Sequence, residues 1–300
     1  MSVTPAMPAR PQYYPYIDGL RALAVLAVVI FHLNAAWMPG GFVGVDIFFV
    51  ISGFVVSLSI ASFKGQGLGQ FLAYFYARRI KRIFPALIVC LLVTAWVSAL
   101  LIPSVWLSVV NQKTGLFAFF GLSNFILAQN GRDYFSPTTE FNPYTHTWSL
   151  GVEEQFYVIF PLLFIGWLYG RKGKALSVAL FTLGIVASLV FAAWQTAHSP
   201  TDAYFLTPSR FWELAAGVLL YQLTQQKPVD THTTNHTLRN VGALISLALI
   251  VGSMVLSAAH TFPFPGAVPA VVGVLGLIYC MHRHPQLRAL HAVLGHRKLV

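Results

Sequence analysis

Leu20 to Trp37 reads LRALAVLAVVIFHLNAAW and Phe42 to Ile60 reads FVGVDIFFVISGFVVSLSI, two apolar runs separated by Met38-Pro39-Gly40-Gly41. A hydrocarbon slab about 30 Å thick needs roughly 20 apolar residues per helix, and a Pro-Gly-Gly corner marks a tight turn. The two runs therefore predict antiparallel membrane helices. Further apolar segments lie at Phe84 to Leu101, Leu116 to Leu127, Val152 to Tyr169, Ala175 to Trp194, Phe211 to Leu223, Val241 to Ala259 and Gly266 to Met281. With 56% hydrophobic and 9% charged residues over 300, and a mean hydropathy of +0.67, the chain holds more apolar surface than a soluble core needs. The expected class is an all-α integral membrane protein, a polytopic helical bundle occupying residues 1–300 as one domain.

The net charge of +10 does not point to nucleic acid, because the basic residues lie between apolar segments and follow the positive-inside pattern instead. Lys64, Arg78, Arg79, Lys81 and Arg82 place the loop between the second and third segments in the cytoplasm, and the N-terminus with it. Met1 to Gln12 shows no cleavage pattern, so the first segment reads as a retained span. If all nine segments crossed, Arg171, Lys172 and Lys174, and then Arg283, Arg288, Arg297 and Lys298, would fall outside. Treating the fourth segment as re-entrant, the shortest and the carrier of Ser123 and Asn124, returns both clusters to the cytoplasm. The expectation is eight full spans plus one partial hairpin, with Arg132 to Leu150 external and Tyr144 and Trp148 as interface anchors. Cys90 and Cys280 lie in apolar segments without metal spacing or a disulfide framework, and no metal site is expected.

Ionisable groups in hydrocarbon are costly and ask for a reason. Of nine acids, Asp18, Asp46, Glu153, Glu154 and Glu213 lie in or at the edge of apolar segments. Arg21 and His32 are eleven residues apart, within about 20° of one helix face and roughly 16 Å apart along its axis. Counted from the Pro-Gly turn, His32 and Asp46 fall at one depth. A carboxylate beside an imidazole suits a general base, although a structural tie between two helices reads equally from this pattern. Arg210 and Glu213 are spaced for an i,i+3 ion pair, as a staple or as a substrate contact. Arg78, Arg79 and Arg82 serve either as topology signals or as a dock for a polyphosphate, since guanidinium forks bind phosphates bidentately.

Tyr16-Ile17-Asp18-Gly19-Leu20-Arg21-Ala22, the Arg21–His32 spacing and Gly41-Phe42-Val43-Gly44-Val45-Asp46-Ile47-Phe48-Phe49-Val50-Ile51-Ser52-Gly53-Phe54 resemble the opening of acyltransferase-3 proteins. Arg79-Ile80-Lys81-Arg82 is similar to that family's paired-arginine motif. Trp148-Ser149-Leu150 with Glu153-Glu154-Gln155-Phe156-Tyr157 resembles its central signature, and Arg210 to Gly217 a later one. The resemblance implies an acyltransferase that uses cytoplasmic acyl-CoA, often acetyl-CoA, as co-substrate with no permanently bound cofactor. It implies an acceptor hydroxyl on an envelope carbohydrate, lipo-oligosaccharide or macrolide at the outer face of the inner membrane. It further implies His32 and Arg21 as the essential pair, with Arg79 and Arg82 near the donor. Glu153, Glu154, Arg210 and Glu213 remain an acceptor-binding or structural polar cluster. Family members continue into further spans beyond a Ser-Tyr-Ser-Leu-Tyr-Leu-Trp-His-like run, and those final spans are expected to be missing after Gly295-His296-Arg297-Lys298-Leu299-Val300. A proton-coupled transporter or flippase built on the same intramembrane charges is the rival reading, though no inverted repeat is visible.

Overall fold

The computed structural model describes residues 13–60, 63, 65, 67–103, 108–130, 142–226, 236–283 and 288–296. Met1 to Gln12, Lys64, Arg132 to Glu140, Arg297 and Lys298, together with the side chains of Arg283 and Arg288, lie outside the described residues. The described residues form α-helices, short 3-10 turns and connections, with no strand. In order the helices are α1 (Pro15–Leu33), α2 (Gly44–Ile60), α3 (Leu68–Leu101), α4 (Val109–Phe119), α5 (Ser123–Asn130), α6 (Thr147–Phe164), α7 (Gly170–His198), α8 (Pro200–Phe205), α9 (Thr207–Gln226), α10 (His236–Leu256), α11 (Val268–Arg283) and α12 (Arg288–Leu294). A 3-10 turn, Gly41–Val43, leads into α2.

Six helices among the described residues are long and apolar enough to cross a membrane: Pro15–Leu33, Gly41–Ile60, Leu68–Leu101, Thr147–Leu168, Gly170–His198 and Arg239–Leu256. Two of the eight expected crossings fall short of that standard. Helix α9 is long enough, but its first turns hold Arg210 and Glu213 and its last turn ends in glutamines, while α11 has only 16 residues. The fourth apolar segment is not one helix but two, α4 of 11 residues and α5 of 8. At 1.5 Å per residue these reach about 16 and 12 Å, too short to cross alone. The break is a Schellman turn: Leu122 N–H donates to Phe117 O, Gly121 N–H to Ala118 O, and Gly121 sits at φ 67°, a region glycine enters without penalty.

Helix α3 begins at Leu68, sixteen residues before the expected Phe84, so Arg78, Arg79, Lys81 and Arg82 stand on a helix rather than in a loop. Lysine and arginine are good helix formers, and a helix of 34 residues spans about 51 Å. It outruns the slab, and its charged turns extend past the apolar part.

The bundle is organised around α2, whose most apolar window is 72% buried, against 11% for α3. Leu92, Val93, Trp96 and Leu100 of α3 are exposed, as suits a helix solvated by lipid. Helices α2 and α9 pack along each other, and their backbones meet at glycines. A Cβ on Gly53 would overlap the Leu214 carbonyl, and one on Gly217 the Val50 carbonyl. Small residues at a crossing allow this approach. Gly217→Leu is therefore expected to lower stability by about 1–3 kcal/mol or more in thermal unfolding of the detergent-solubilised protein. Gly69→Ala, where a Cβ meets open space, is the control; equal melting of the two variants would show that the helices do not sit this close.

Candidate active site

The sequence-selected residues do not form one cluster; they divide between two levels along α1 and a buried ion group between α2 and α9. At one level, a cavity of about 350 Å³ is lined by Arg21 of α1, Phe48, Ser52 and Val55 of α2, Arg79, Arg82 and Ile83 of α3, and Ser149, Leu150, Glu153 and Tyr157 of α6. Arg21 is held by Asp18 at 3.3 Å. Arg79 donates to Ser59 Oγ at 2.6 Å and lies over the rings of Phe75 and Tyr157, 5.7 and 5.4 Å from their centroids. The Tyr157 hydroxyl donates to Glu153 Oε2 at 3.4 Å. Three guanidinium groups, one carboxylate and three hydroxyls thus face one space. Arg78, expected with the donor-binding cations, is turned away from it, donating to Tyr74 OH at 2.7 Å.

The other level is about 16 Å along α1 from Arg21. There His32 Nδ1 lies 2.8 Å from Val28 O. A carbonyl only accepts, so Nδ1 carries the proton and Nε2 holds the lone pair in the neutral ring. The His146 ring packs against that of His32, centroids 4.6 Å apart at 88°. His146 is joined to the cavity by the chain itself: Ser149, on the lining, lies one turn further along and its hydroxyl donates to His146 O at 3.4 Å. The cavity therefore runs from the arginines of α3 to within one helical turn of the histidine pair.

Asp46 is not the partner of His32. Gly44 packs against α1 so closely that a Cβ there would overlap the Ala24 carbonyl. At 100° per residue Asp46 lies about 200° round from Gly44, on the side of α2 that faces α9. There Arg210 Nη1 donates to Asp46 Oδ1 at 2.7 Å and to Glu213 Oε1 at 2.8 Å, all three side chains being buried. The tautomer-fixing role expected of Asp46 falls to the Val28 carbonyl. Arg210 Nε donates to Tyr204 O at 3.1 Å, and the guanidinium lies 5.0 Å from the Tyr204 ring centroid, 5.4 Å from Trp148 and 5.9 Å from Phe49. This explains why Trp148, expected as an interface anchor, is 1% exposed: it closes an aromatic box around a buried cation.

The acids of Glu153-Glu154-Gln155 divide. Glu153 faces the cavity, whereas Glu154 lies against Gly121, where a Cβ would meet its carboxylate. Gln155 donates to Gly121 O at 2.9 Å and to Asn124 Oδ1 at 2.8 Å, and accepts from Thr207 Oγ1. It ties α5, α6 and α9 at the broken segment. Gln155, Tyr157, Ser52 and His146 carry weight that the sequence reading did not assign. All four stand inside or beside quoted motifs, Ser52 in Gly41 to Phe54 and the others at Trp148-Ser149-Leu150 and Glu153 to Tyr157, but nothing in those motifs said what each side chain would face.

The acyltransferase domain family model, Acyl_transf_3, matches residues 14–296. The chain belongs to the acyltransferase-3 family. This acyltransferase-3 chain is 31% identical over 278 residues to a peptidoglycan O-acetyltransferase, OatA, of Listeria monocytogenes, covering 89% of this chain and 43% of that protein. It is 34% identical over 213 residues to O-acetyltransferase OatA of Staphylococcus aureus, covering 70% of this chain and 34% of that protein. It thus spans less than half the length of these relatives. No solved structure matches it. Membership of a multi-span membrane family accords with the helices above.

Proposed function

We propose that this chain is a membrane O-acyltransferase that moves an acetyl or related acyl group from cytoplasmic acyl-CoA to a hydroxyl of an envelope carbohydrate. The naming of the Listeria relative makes peptidoglycan the first acceptor to try. The observation that carries the reading is the cavity that the α3 arginines share with Arg21 and Glu153 and that ends at Ser149, one helical turn from His146. Arg79 and Arg82 supply forked donors for the phosphates of the donor, and Arg21 and Glu153 line the path of its acyl-bearing arm. At the far end, His32 Nε2 takes the acceptor hydroxyl proton. The oxygen then attacks the thioester carbon, the C–S bond breaks, and the thiolate recovers a proton from the imidazolium. The cationic end of α3 is assigned to the cytoplasm, which puts the N-terminus there too and turns the histidine pair outward. The rival transporter reading has no comparable observation in its favour.

Arg82 is the cleaner test of the donor end, because Arg79 also holds Ser59 and two aromatic rings. Arg82→Ala is expected to weaken acyl-CoA binding by roughly 10-fold or more, the loss of a charge-assisted hydrogen bond, with acceptor KM unchanged. Direct titration of the detergent-solubilised protein with acyl-CoA measures this. Undiminished donor affinity in both Arg79→Ala and Arg82→Ala would reduce these residues to topology signals.

A further inference from the structure

His146 immediately precedes α6 and belongs to none of the roles given above. Its ring is nevertheless the one packed edge to face on the His32 ring, 4.6 Å between centroids. The Val28 carbonyl can fix the His32 tautomer only while the imidazole keeps one rotation about its Cβ–Cγ bond. A half-turn would carry Nδ1 away from Val28 O and exchange the positions of nitrogen and carbon. A neighbouring ring in contact resists that turn. His146 is also suited to remain neutral. Although part of the residue is exposed, packing of its ring away from water, and then the adjacent His32, push its pKa below the usual histidine range, and the N-terminal end of α6 disfavours a cation there. A neutral neighbour does not oppose proton uptake on His32, as an imidazolium would.

Resting on the reading of His32 as the base, we infer that His146 is a positioning residue: its ring holds the His32 imidazole in the orientation that keeps Nδ1–H on Val28 O and Nε2 basic. The chemistry stays on His32. What His146 supplies is order in the ring, which a phenylalanine can also supply and an alanine cannot.

The test compares His146→Ala, His146→Phe and His32→Ala in the detergent-solubilised protein with acyl-CoA as donor, and reads the His32 tautomer by ¹⁵N NMR of histidine-labelled protein, assigned by its loss in His32→Ala. His146→Ala is expected to show mixed His32 tautomers and a turnover lowered roughly 10- to 100-fold, the scale of a misplaced catalytic group, with acyl-CoA affinity unchanged. His146→Phe should restore a single Nδ1–H tautomer and bring turnover to within several-fold of the parent. A single tautomer and full turnover in His146→Ala would overturn the inference. So would a folded His146→Phe as impaired as the alanine variant, since the imidazole itself would then be needed. If His146→Ala does not fold, the tautomer in His146→Phe decides alone. Should His32→Ala keep its turnover, the base reading fails instead, while the tautomer ratio still reports whether His146 orders the ring.

Discussion

His32→Ala, purified in detergent and given labelled acyl-CoA, is expected to lose acyl transfer by roughly 10²–10⁴-fold, the range that general base catalysis contributes. The residue is exposed on the last turn of α1, so truncation removes little packing and the variant should melt near the parent temperature. Donor affinity should also hold, because Arg21 stands about 16 Å from His32 along α1 and the cavity it shares with Arg79 and Arg82 is not lined by His32. This combination of lost turnover, retained fold and retained donor binding is specific to a chemical role. Detergent abolishes compartments, so a transporter would have no activity to lose in the same assay. Where the acceptor is not in hand, slow thioester hydrolysis by water serves as the readout. A His32→Ala protein that hydrolyses acyl-CoA as fast as the parent would remove the base assignment, and solute movement in liposomes without any acyl-CoA binding would remove the enzyme reading.

The α1–α2 hairpin was legible in the sequence, because hydropathy and a Pro-Gly corner report where helices begin and end. The level of Glu153 was not, since it was expected at the outer level with His32 and instead lines the cavity with Arg21, Arg79 and Arg82. Azimuth was not legible either. Counting seven residues either side of the Pro-Gly corner puts His32 and Asp46 at one depth, but only the Gly44–Ala24 contact decides which way Asp46 points, and that contact is a property of two packed backbones. The start of α3 was missed for a different reason. Hydropathy ends at Phe84, whereas helix propensity does not, so the arginines that line the cavity sit on a rigid element rather than in a loop. Trp148 illustrates a third limit: aromatic residues near an apolar boundary suggest the interface, yet a buried guanidinium competes for the same ring. His146 stood beside the recognised Trp148-Ser149-Leu150 motif, and nothing in its spacing announced a partner 114 positions away on α1.

The second large effect concerns Arg210. It joins Asp46 and Glu213 through a single Nη1, and the three side chains are at most 1% exposed. Arg210→Met would leave two carboxylates buried together without a cation between α2 and α9. Removing one partner of a buried ion pair typically costs about 3–5 kcal/mol, a large share of a stability that is commonly only about 5–15 kcal/mol, and the aromatic box of Trp148, Tyr204 and Phe49 would lose its occupant besides. The variant is therefore expected to melt far below the parent in detergent, or to be recovered largely unfolded. The triple variant Arg210→Met, Asp46→Asn, Glu213→Gln removes both charges that the arginine neutralised, and replacement of a whole buried ionic group is often nearly neutral, so it should regain most of the loss. The comparison also separates two roles for Asp46. If the cluster only ties α2 to α9, the triple variant recovers acyl transfer together with stability. Recovery of stability with turnover still absent would return Asp46 or Glu213 to the chemistry, and an Arg210→Met protein as stable as the parent would show that the three groups are not buried as one.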